Sequence, residues 1–335
     1  MTQIKHSKEK IDQVRNSAGS MRIGTEEDGA VLGMLEIDGQ LHILKDKAIY
    51  RVMLADETDP ERTRIDIPNT QQRIMSIGAD APVVQRVLLT AKELFDKDRL
   101  SPTLNAGSAL SVAMELTRNI NSADEIAQEI RELVRSNQQN ALRSESGALS
   151  LPFTPNLVPQ CKTFVQKAEH ALQCMSRLCI LFCGEAAMKP WPDGLVKYMV
   201  ESGADAEIIR YSEEFADFGK KLRNIRHCIE HEKKNQRLKI TDYRLDASRT
   251  IISPTIEIVH EATPMKEVPV EMFMHRVVEA LINFAESLIA IMASRNVADH
   301  GAFNVCVGDI PEKERRFGVR YGYLIEIGGV YQRLG

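Results

Sequence analysis

The sequence predicts an α+β protein that is mainly helical, with a bundle of antiparallel helices in its C-terminal half. Three segments there repeat apolar residues alternately four and three positions apart, which places each set on one stripe of a packed helix. Between the second and third segments, runs of Thr, Ile and Val from residue 238 to 262 predict a β insertion. The residues before the bundle predict a small β unit followed by helices.

Composition is typical of a soluble globular protein. The 335 residues, 43% apolar and 27% charged, are long enough for two domains. Residues 1–20 are polar, and no stretch reaches about 18 uninterrupted apolar residues, so we expect neither a signal peptide nor a membrane span. We therefore predict a cytoplasmic protein that has no membrane partner. A net charge of −4 permits only a local basic patch for nucleic acid.

The cysteines favour a reducing environment. None of them forms a C-x-x-C pair, and four fall on one predicted helix. We expect reduced thiols that act as small buried hydrophobic residues. The six are Cys161, Cys174, Cys179, Cys183, Cys228 and Cys306.

The N-terminal region, residues 1–143, combines a hairpin with helices. Asp38-Gly39 suits the positive φ angles of a tight turn, so residues 29–54 should form the β unit. Residues 70–143 read as helical, and Ser122 to Glu125 would start a helix. The apolar face of the first of these helices comprises Val83, Val87, Leu88, Ala91 and Leu94.

Three further segments complete the predicted organisation. Prolines at 152, 155 and 159 remove backbone donors, and residues 144–159 are therefore a predicted linker. Residues 160–295 form the predicted bundle. Residues 296–335 form a β-rich segment, with strands around Val305 and Tyr323, that could pair with the N-terminal β unit.

The seams of the bundle helices are regular in spacing. We expect each seam to be buried against the neighbouring helices. They comprise Phe164, Ala168, Ala171, Met175, Leu178 and Phe182; Ile208, Tyr211, Phe215, Phe218, Leu222, Ile225 and Ile229; and Val270, Met274, Val277, Leu281, Phe284 and Leu288.

One motif on the second bundle helix carries candidate chemistry. Arg226 is followed by His227 and, four residues later, by His231. An arginine, a polar residue and then a histidine resemble the signature of the HEPN superfamily, and the resemblance covers roughly residues 160–295. It implies a dimer of helical bundles that cleaves RNA without metal or cofactor. Other members of the family are dimerisation or nucleotide-binding modules, and this alternative stays open.

The resemblance also implies a mechanism. A ribose 2′-hydroxyl would attack the adjacent phosphate, leaving a cyclic phosphate and a free 5′-hydroxyl. His231 would act as general base or acid, since an imidazole titrates near neutral pH. Arg226 would bind the non-bridging phosphate oxygens. Family roles in stress response, toxin–antitoxin pairs and phage defence imply an antitoxin or another regulatory protein as a further partner.

Several neighbouring residues are candidate phosphate ligands. His227 could orient the phosphate, and basic residues outnumber acidic ones between 220 and 239, which favours a phosphate-backbone track. A solvated lysine-rich helix end is the simpler explanation for the lysines alone. The further candidates are Arg223, Asn224, Lys233 and Lys234.

Helical geometry favours a site shared between two copies of the chain. With the seam through Ile225 and Ile229, Arg226 lies about 100° to one side of Ile225 and His231 about 120° to the other. One helix therefore cannot direct both side chains at a single phosphate unless its end distorts. A second copy packed across the seam could bring two such pairs together.

Two further observations leave other functions open. Residues 227–231 also read H-x-x-E-H, a zinc motif of inverted metalloproteases, for which Glu279 and Glu286 could supply a third ligand and its support. Glu230 lies four residues from Arg226 and could pair with its guanidinium. Such a pair would either occupy the arginine or position it.

Overall fold

The computed structural model describes residues 8–17, 20–138, 149–301 and 303–334. It has a mixed α+β architecture, as predicted, in which long helices dominate and the strands form several small sheets. The first seven residues of the predicted N-terminal region and residues 144–148 of the predicted linker lie outside the described residues.

The helices vary from one turn to nine. A π-helical segment, Val84–Leu89, leads directly into the third helix. The helices are α1 (Lys8–Asn16), α2 (Ala55–Thr58), α3 (Thr90–Leu94), α4 (Ala106–Gln138), α5 (Leu157–Cys183), α6 (Asp193–Glu201), α7 (Ala206–Glu230) and α8 (Val270–Ser294).

The described strands pair only in antiparallel fashion and form four sheets. The first has the order β1-β2-β3-β4, the second β5-β8-β9, the third β6-β7 and the fourth β10-β11-β12. The strands are β1 (Val31–Ile37), β2 (Gln40–Lys45), β3 (Ile49–Met53), β4 (Thr70–Met75), β5 (Arg237–Thr241), β6 (Arg244–Leu245), β7 (Ile251–Ile252), β8 (Thr255–Val259), β9 (Met265–Pro269), β10 (Val305–Asp309), β11 (Tyr321–Ile327) and β12 (Val330–Arg333).

The predicted N-terminal β unit is confirmed, but it extends into β4 (Thr70–Met75), where the sequence had predicted helix. Asp38 and Gly39 join β1 to β2 with φ angles of 53° and 70°, and Ile37 pairs with Gln40 across the turn. Two consecutive positive φ angles match the twist of a two-residue hairpin, which explains why Asp-Gly occupies this position. The predicted apolar face from Val83 to Leu94 is buried, as expected.

α4 begins earlier than the sequence predicted. Its first turn is capped by Asn105, whose side-chain oxygen accepts a hydrogen bond from the backbone N–H of Ser108 (2.9 Å). Ser122 to Glu125 lie inside the helix, so the predicted start there is wrong. The side chain of Asn121 instead donates a hydrogen bond to the Glu125 carboxylate (3.0 Å), one turn later in the helix.

The long helices alternate in direction around α5. Arg177 pairs with Glu115 and Cys174 accepts from Asn119, so α4 runs antiparallel to α5. α7 is also antiparallel to α5. α8 runs beside α5 in the same direction, since Phe164 packs edge-on against Phe273 and Cys183 contacts Met292.

The predicted seams form the centre of the bundle. All six seam residues of α5 are buried, and so are Phe215, Leu222 and Ile225 on α7. One buried apolar cluster runs from the N-terminal sheet through these helices to β11. The domain boundaries remain sequence predictions, although α4, which precedes the predicted linker, packs along α5, which follows it.

The predicted β insertion is confirmed, and the C-terminal segment differs in part from expectation. Residues 237–269 supply β5 to β9, between α7 and α8. β10 to β12 form their own sheet, so the expected pairing with the N-terminal β unit is not found among the described residues. The sheet is held against α3 instead, where the buried Tyr323 hydroxyl donates to the Leu94 carbonyl (2.6 Å).

α8 is the one helix among the described residues whose length and composition would allow it to cross a membrane. Its mean hydropathy is 1.6 over an 18-residue window, and 61% of that window is buried inside the protein. Helices packed on several sides in a soluble protein have this character.

A buried ion pair joins the π-helical segment to α8. Glu286, whose side chain is 4% exposed, accepts a hydrogen bond from Nε of Arg86 (2.8 Å), and Arg86 also donates to Asn283. Arg86→Ala should lower the free energy of unfolding by about 3 kcal/mol, because a carboxylate would stay buried without its cation. The double variant Arg86→Leu with Glu286→Leu should recover most of this loss, and urea denaturation measures both.

Arg276→Ala, an exposed position on α8 without an ion pair to a described residue, is the control and should change stability by less than about 0.5 kcal/mol. If Arg86→Ala lowered the free energy of unfolding by no more than this control, the structural role of the ion pair would be contradicted.

Glu267 gives the fold an acid-sensitive contact. Arg244 and Thr255 donate hydrogen bonds to its carboxylate and lower its pKa from the ordinary value of 4.5 to about 2. A lowered pKa in the folded state means that the stabilisation is complete above pH 4.5 and disappears as the pH falls towards 2. Glu267→Gln should remove this part of the pH dependence in urea titrations at a series of acidic pH values. Glu312→Gln should retain it, and an unchanged pH dependence in Glu267→Gln would contradict the assignment.

Candidate functional site

The end of α7 carries the predicted motif. Asp205 caps the start of the helix by accepting the backbone N–H of Ile208 (2.9 Å). The buried seam then fixes the rotation of the helix, so that Ile225 points into the core. The helix ends at Glu230, and His231 follows with φ −129° and ψ 57°, outside the helical region. The helix therefore terminates at the predicted catalytic histidine, whose backbone N–H still bonds to the His227 carbonyl (2.9 Å).

Arg226 is held by two carboxylates. Its Nε donates to Glu230 of the same helix (2.8 Å), which confirms the pairing that the sequence suggested. Its Nη1 lies 2.9 Å from Glu169 of α5, whose side chain is 10% exposed. Both contacts raise the pKa of Arg226, with the hydrogen bond to Glu230 the largest cause. The guanidinium therefore crosslinks α7 to α5, and its Nη2 donates no hydrogen bond to a described residue.

His227 and His231 are both exposed and lie one turn apart. Their ring centroids are 6.2 Å apart, so the two imidazoles share one side of the helix end, as predicted. The side-chain amide of Gln236 donates to the backbone carbonyls of both residues, at 3.1 and 3.2 Å. Gln236 thereby ties the unpaired carbonyls of the helix terminus to the start of β5.

The predicted phosphate ligands do not converge within one chain. Lys233 and Lys234 are exposed on the turn between α7 and β5, close in sequence to the histidines. Asn224 instead donates to Thr263 (3.2 Å), in the loop between β8 and β9. Arg223 lies one turn before His227 on α7 and lines a groove against α5. Lys233, Lys234 and His227 adjoin His231 in the chain, and the roles of Arg223 and Asn224 as phosphate ligands stay predictions.

The groove beside Arg223 has a volume of about 540 Å³ and was not predicted. Gln173 donates to Glu169 (2.7 Å), and Arg177 pairs with Glu115 (2.5 Å). Glu169, Gln173 and Arg177 recur every four residues on α5, a polar stripe that the sequence displays and that could have indicated this groove. Its lining also includes His170, Cys174 and Trp191.

Trp191 joins the groove to the bundle core. It is half-buried, and its ring packs edge-on against Phe215 at 5.6 Å. Its ring therefore anchors the loop between α5 and α6 to the core. The cysteine thiol beside it, Cys174, is buried, and burial raises its pKa, so it stays protonated and unreactive near neutral pH.

The zinc alternative lacks a ligand set. Glu286 is engaged with Arg86, and Glu279 lies 3.4 Å from His275, one turn earlier on α8. Among the described residues, no group of three or more His, Cys, Asp or Glu side chains is arranged to hold a metal ion. His227 and His231 therefore have no third protein ligand in the described part of the chain.

The contacts of Arg226 predict a stability effect separate from any activity. Arg226→Ala should lower the free energy of unfolding by about 1–3 kcal/mol, because the buried carboxylate of Glu169 would lose its cation. Adding Glu169→Gln should recover most of the loss, and urea denaturation of the single and double variants measures the coupling.

Arg210→Ala on the exposed face of α7 is the matched control, since its pair with Glu214 is long (4.0 Å) and solvated. If Arg226→Ala were as stable as this control, the crosslink between α7 and α5 would contribute nothing.

Comparison of the chain with protein-family models, with curated proteins and with solved structures finds no match. The resemblance to the HEPN superfamily therefore stays an expectation from the sequence motif between Arg226 and His231.

Proposed function

We propose that this protein is a metal-independent endoribonuclease of HEPN type that acts as a homodimer in the cytoplasm. The observation that carries the proposal is the pair of exposed imidazoles, His227 and His231, at the C-terminal end of α7, which continues into Lys233 and Lys234. Exposed imidazoles can exchange protons with a bound substrate at neutral pH. The adjacent lysines supply charge for the phosphate backbone.

The proposed reaction needs one base and one acid. An imidazole takes the proton of the ribose 2′-hydroxyl as its oxygen attacks phosphorus. The bond from phosphorus to the 5′-oxygen breaks, and a protonated imidazole gives its proton to that leaving oxygen. The products are a 2′,3′-cyclic phosphate and a 5′-hydroxyl. His231 fills one of these roles, and His227 or the partner copy's motif fills the other.

A dimer supports this chemistry better than one chain does. Arg226 is directed towards α5 by Glu169, whereas the imidazoles lie at the solvent-exposed end of α7. The remaining donor nitrogen of Arg226 is the group that could stabilise charge on the phosphate. A second copy packed against this end would add its own arginine and histidines and would exclude water from the phosphate.

The contacts of Arg226 also favour a second candidate function. A guanidinium that already has two carboxylate partners would have to give up one of them to bind a phosphate with its full fork. In this second function, the bundle would be a non-catalytic module for dimerisation or nucleotide binding, and Arg226 would be a structural crosslink. Cleavage assays separate the two functions.

The test is cleavage of a total tRNA and mRNA pool by the full chain in the presence of EDTA. His231→Ala should lower the rate about 100-fold or more if His231 transfers a proton in the reaction. The products of the wild-type protein should carry cyclic phosphate ends, detected by mass spectrometry. Light scattering should give a dimer for both proteins.

His275→Ala is the matched control, because His275 is an exposed histidine on α8 that is paired with Glu279. It should cleave at the wild-type rate. Equal cleavage by wild type and His231→Ala would exclude His231 from the chemistry. Absence of cleavage by the dimeric wild-type protein would favour the non-catalytic bundle.

A further inference from the structure

A second cavity lies outside the bundle, where the N-terminal and C-terminal sheets approach α3. It has a volume of about 420 Å³, within the range of small-molecule sites. Leu32 and Leu44 of the N-terminal sheet form one wall, and the segment between β10 and β11 together with β12 forms the opposite wall. We call it the basic cavity, and its charged lining residues are Lys92, Glu93, Asp96, Arg99, Arg316 and Arg333.

The cations of the basic cavity exceed its carboxylates. Arg333 pairs with Glu93 (2.8 Å), and Arg99 pairs with Asp96 (3.5 Å). Lys92 and Arg316 form no ion pair and no side-chain hydrogen bond with any residue that the structure describes. Two positive charges therefore lie at the cavity without counter-charges from the described part of the protein.

Arg333 has an unsatisfied donor at the same place. Its Nη1 donates to the Glu314 carbonyl (2.8 Å) and its Nη2 to Glu93, and its side chain is only 14% exposed. Its Nε is buried and has no hydrogen-bond partner. A buried N–H without an acceptor is costly, so a small shift of the Arg333 side chain that gave Nε an acceptor would gain free energy.

Phe317 is held at the cavity in an unfavourable backbone conformation. Its φ angle is 51°, in the left-handed region that side chains larger than Asn rarely adopt, and 43% of the residue is exposed. Gly318 follows with φ 72°, and a Cβ there would lie 2.6 Å from the side-chain oxygen of Gln85. The turn therefore needs glycine at position 318, and it costs conformational energy at Phe317 yet leaves the aromatic ring uncovered.

The lining combines this ring with an apolar wall. Leu32, Leu44, Leu89 and Val319 face the same space as the unpaired cations. A site that combines cations with apolar and aromatic surface fits an anion that has an apolar group attached. A dianion matches the two unpaired charges, and arginine forks suit phosphate oxygens.

We propose that the basic cavity binds a small phosphate monoester whose organic part is apolar or aromatic. The phosphate contacts Lys92, Arg316 and Arg333, and the organic part packs against Phe317 and the leucine wall. This site is separate from the end of α7 and does not depend on the ribonuclease proposal.

Phenyl phosphate is the smallest probe that carries both parts of such a ligand. Titration calorimetry on the full chain should give one saturable site at millimolar concentration or below. Inorganic phosphate and phenol should each bind about tenfold more weakly, since each contacts only one part of the cavity. The probe should also raise the thermal unfolding temperature, because it binds the folded chain.

Three variants test the assignment. Arg316→Ala and Lys92→Ala should each weaken binding of phenyl phosphate about tenfold and leave the fold intact, because both side chains are exposed and unpaired. Phe317→Asn removes the aromatic ring and introduces a residue that tolerates a positive φ angle. It should weaken binding of phenyl phosphate and leave thermal stability equal or higher. Lys313→Ala, a charge-matched exposed position outside the cavity, should bind as the wild type does.

No saturable binding of phenyl phosphate to the wild-type chain would overturn the proposal. Equal affinity in Arg316→Ala, Lys92→Ala and Lys313→Ala would overturn it as well, because the anion would then bind elsewhere. Unchanged binding by Phe317→Asn would overturn the aromatic half of the site. RNA cleavage by these variants reports on the other site and stays at the wild-type rate in every case.

Discussion

Burial of α5 is the constraint on which the rest of the structure depends. The helix is enclosed by α4, α7 and α8, so apolar residues occupy more than one of its faces. α7 approaches α5 at Gly219, where an added Cβ would lie 3.4 Å from Leu172, close to an ordinary van der Waals contact. The order and direction of the other helices follow from the need to cover α5.

Because α5 is enclosed, one of its carboxylates lies inside the bundle. This carboxylate pairs with the arginine of the motif. Glu169 is buried and is bound by Arg226 and Gln173. A buried carboxylate without a cation is far less stable than a paired one, so Arg226 serves the fold whether or not it serves catalysis. The exposed imidazoles of His227 and His231 do not pair in this way with a buried group of the described chain. An activity assay on His231 is therefore easier to interpret than one on Arg226.

The sequence predicted the features that depend on interactions between residues close together in the chain. Four-three spacing gave the bundle seams, and Asp38-Gly39 gave the hairpin, because a period or a turn is encoded in neighbouring residues. The pairing of Arg226 with Glu230 was visible for the same reason. The pairing with Glu169 was not, since residues 57 positions apart meet only through helix packing. The capping role of Asn105 was missed because a second cap-like motif, at Ser122, competed with it.

Long-range contacts also explain why the basic cavity has no signature in the sequence. Glu93 and Arg333 are 240 residues apart, and they meet only because β11 and β12 pack against α3. α3 in turn contacts α8 of the bundle. A ligand held between the N-terminal and C-terminal sheets would stabilise the packing of both on α3 by its binding free energy. The chain ends would then be coupled to the bundle through a helix that is only five residues long.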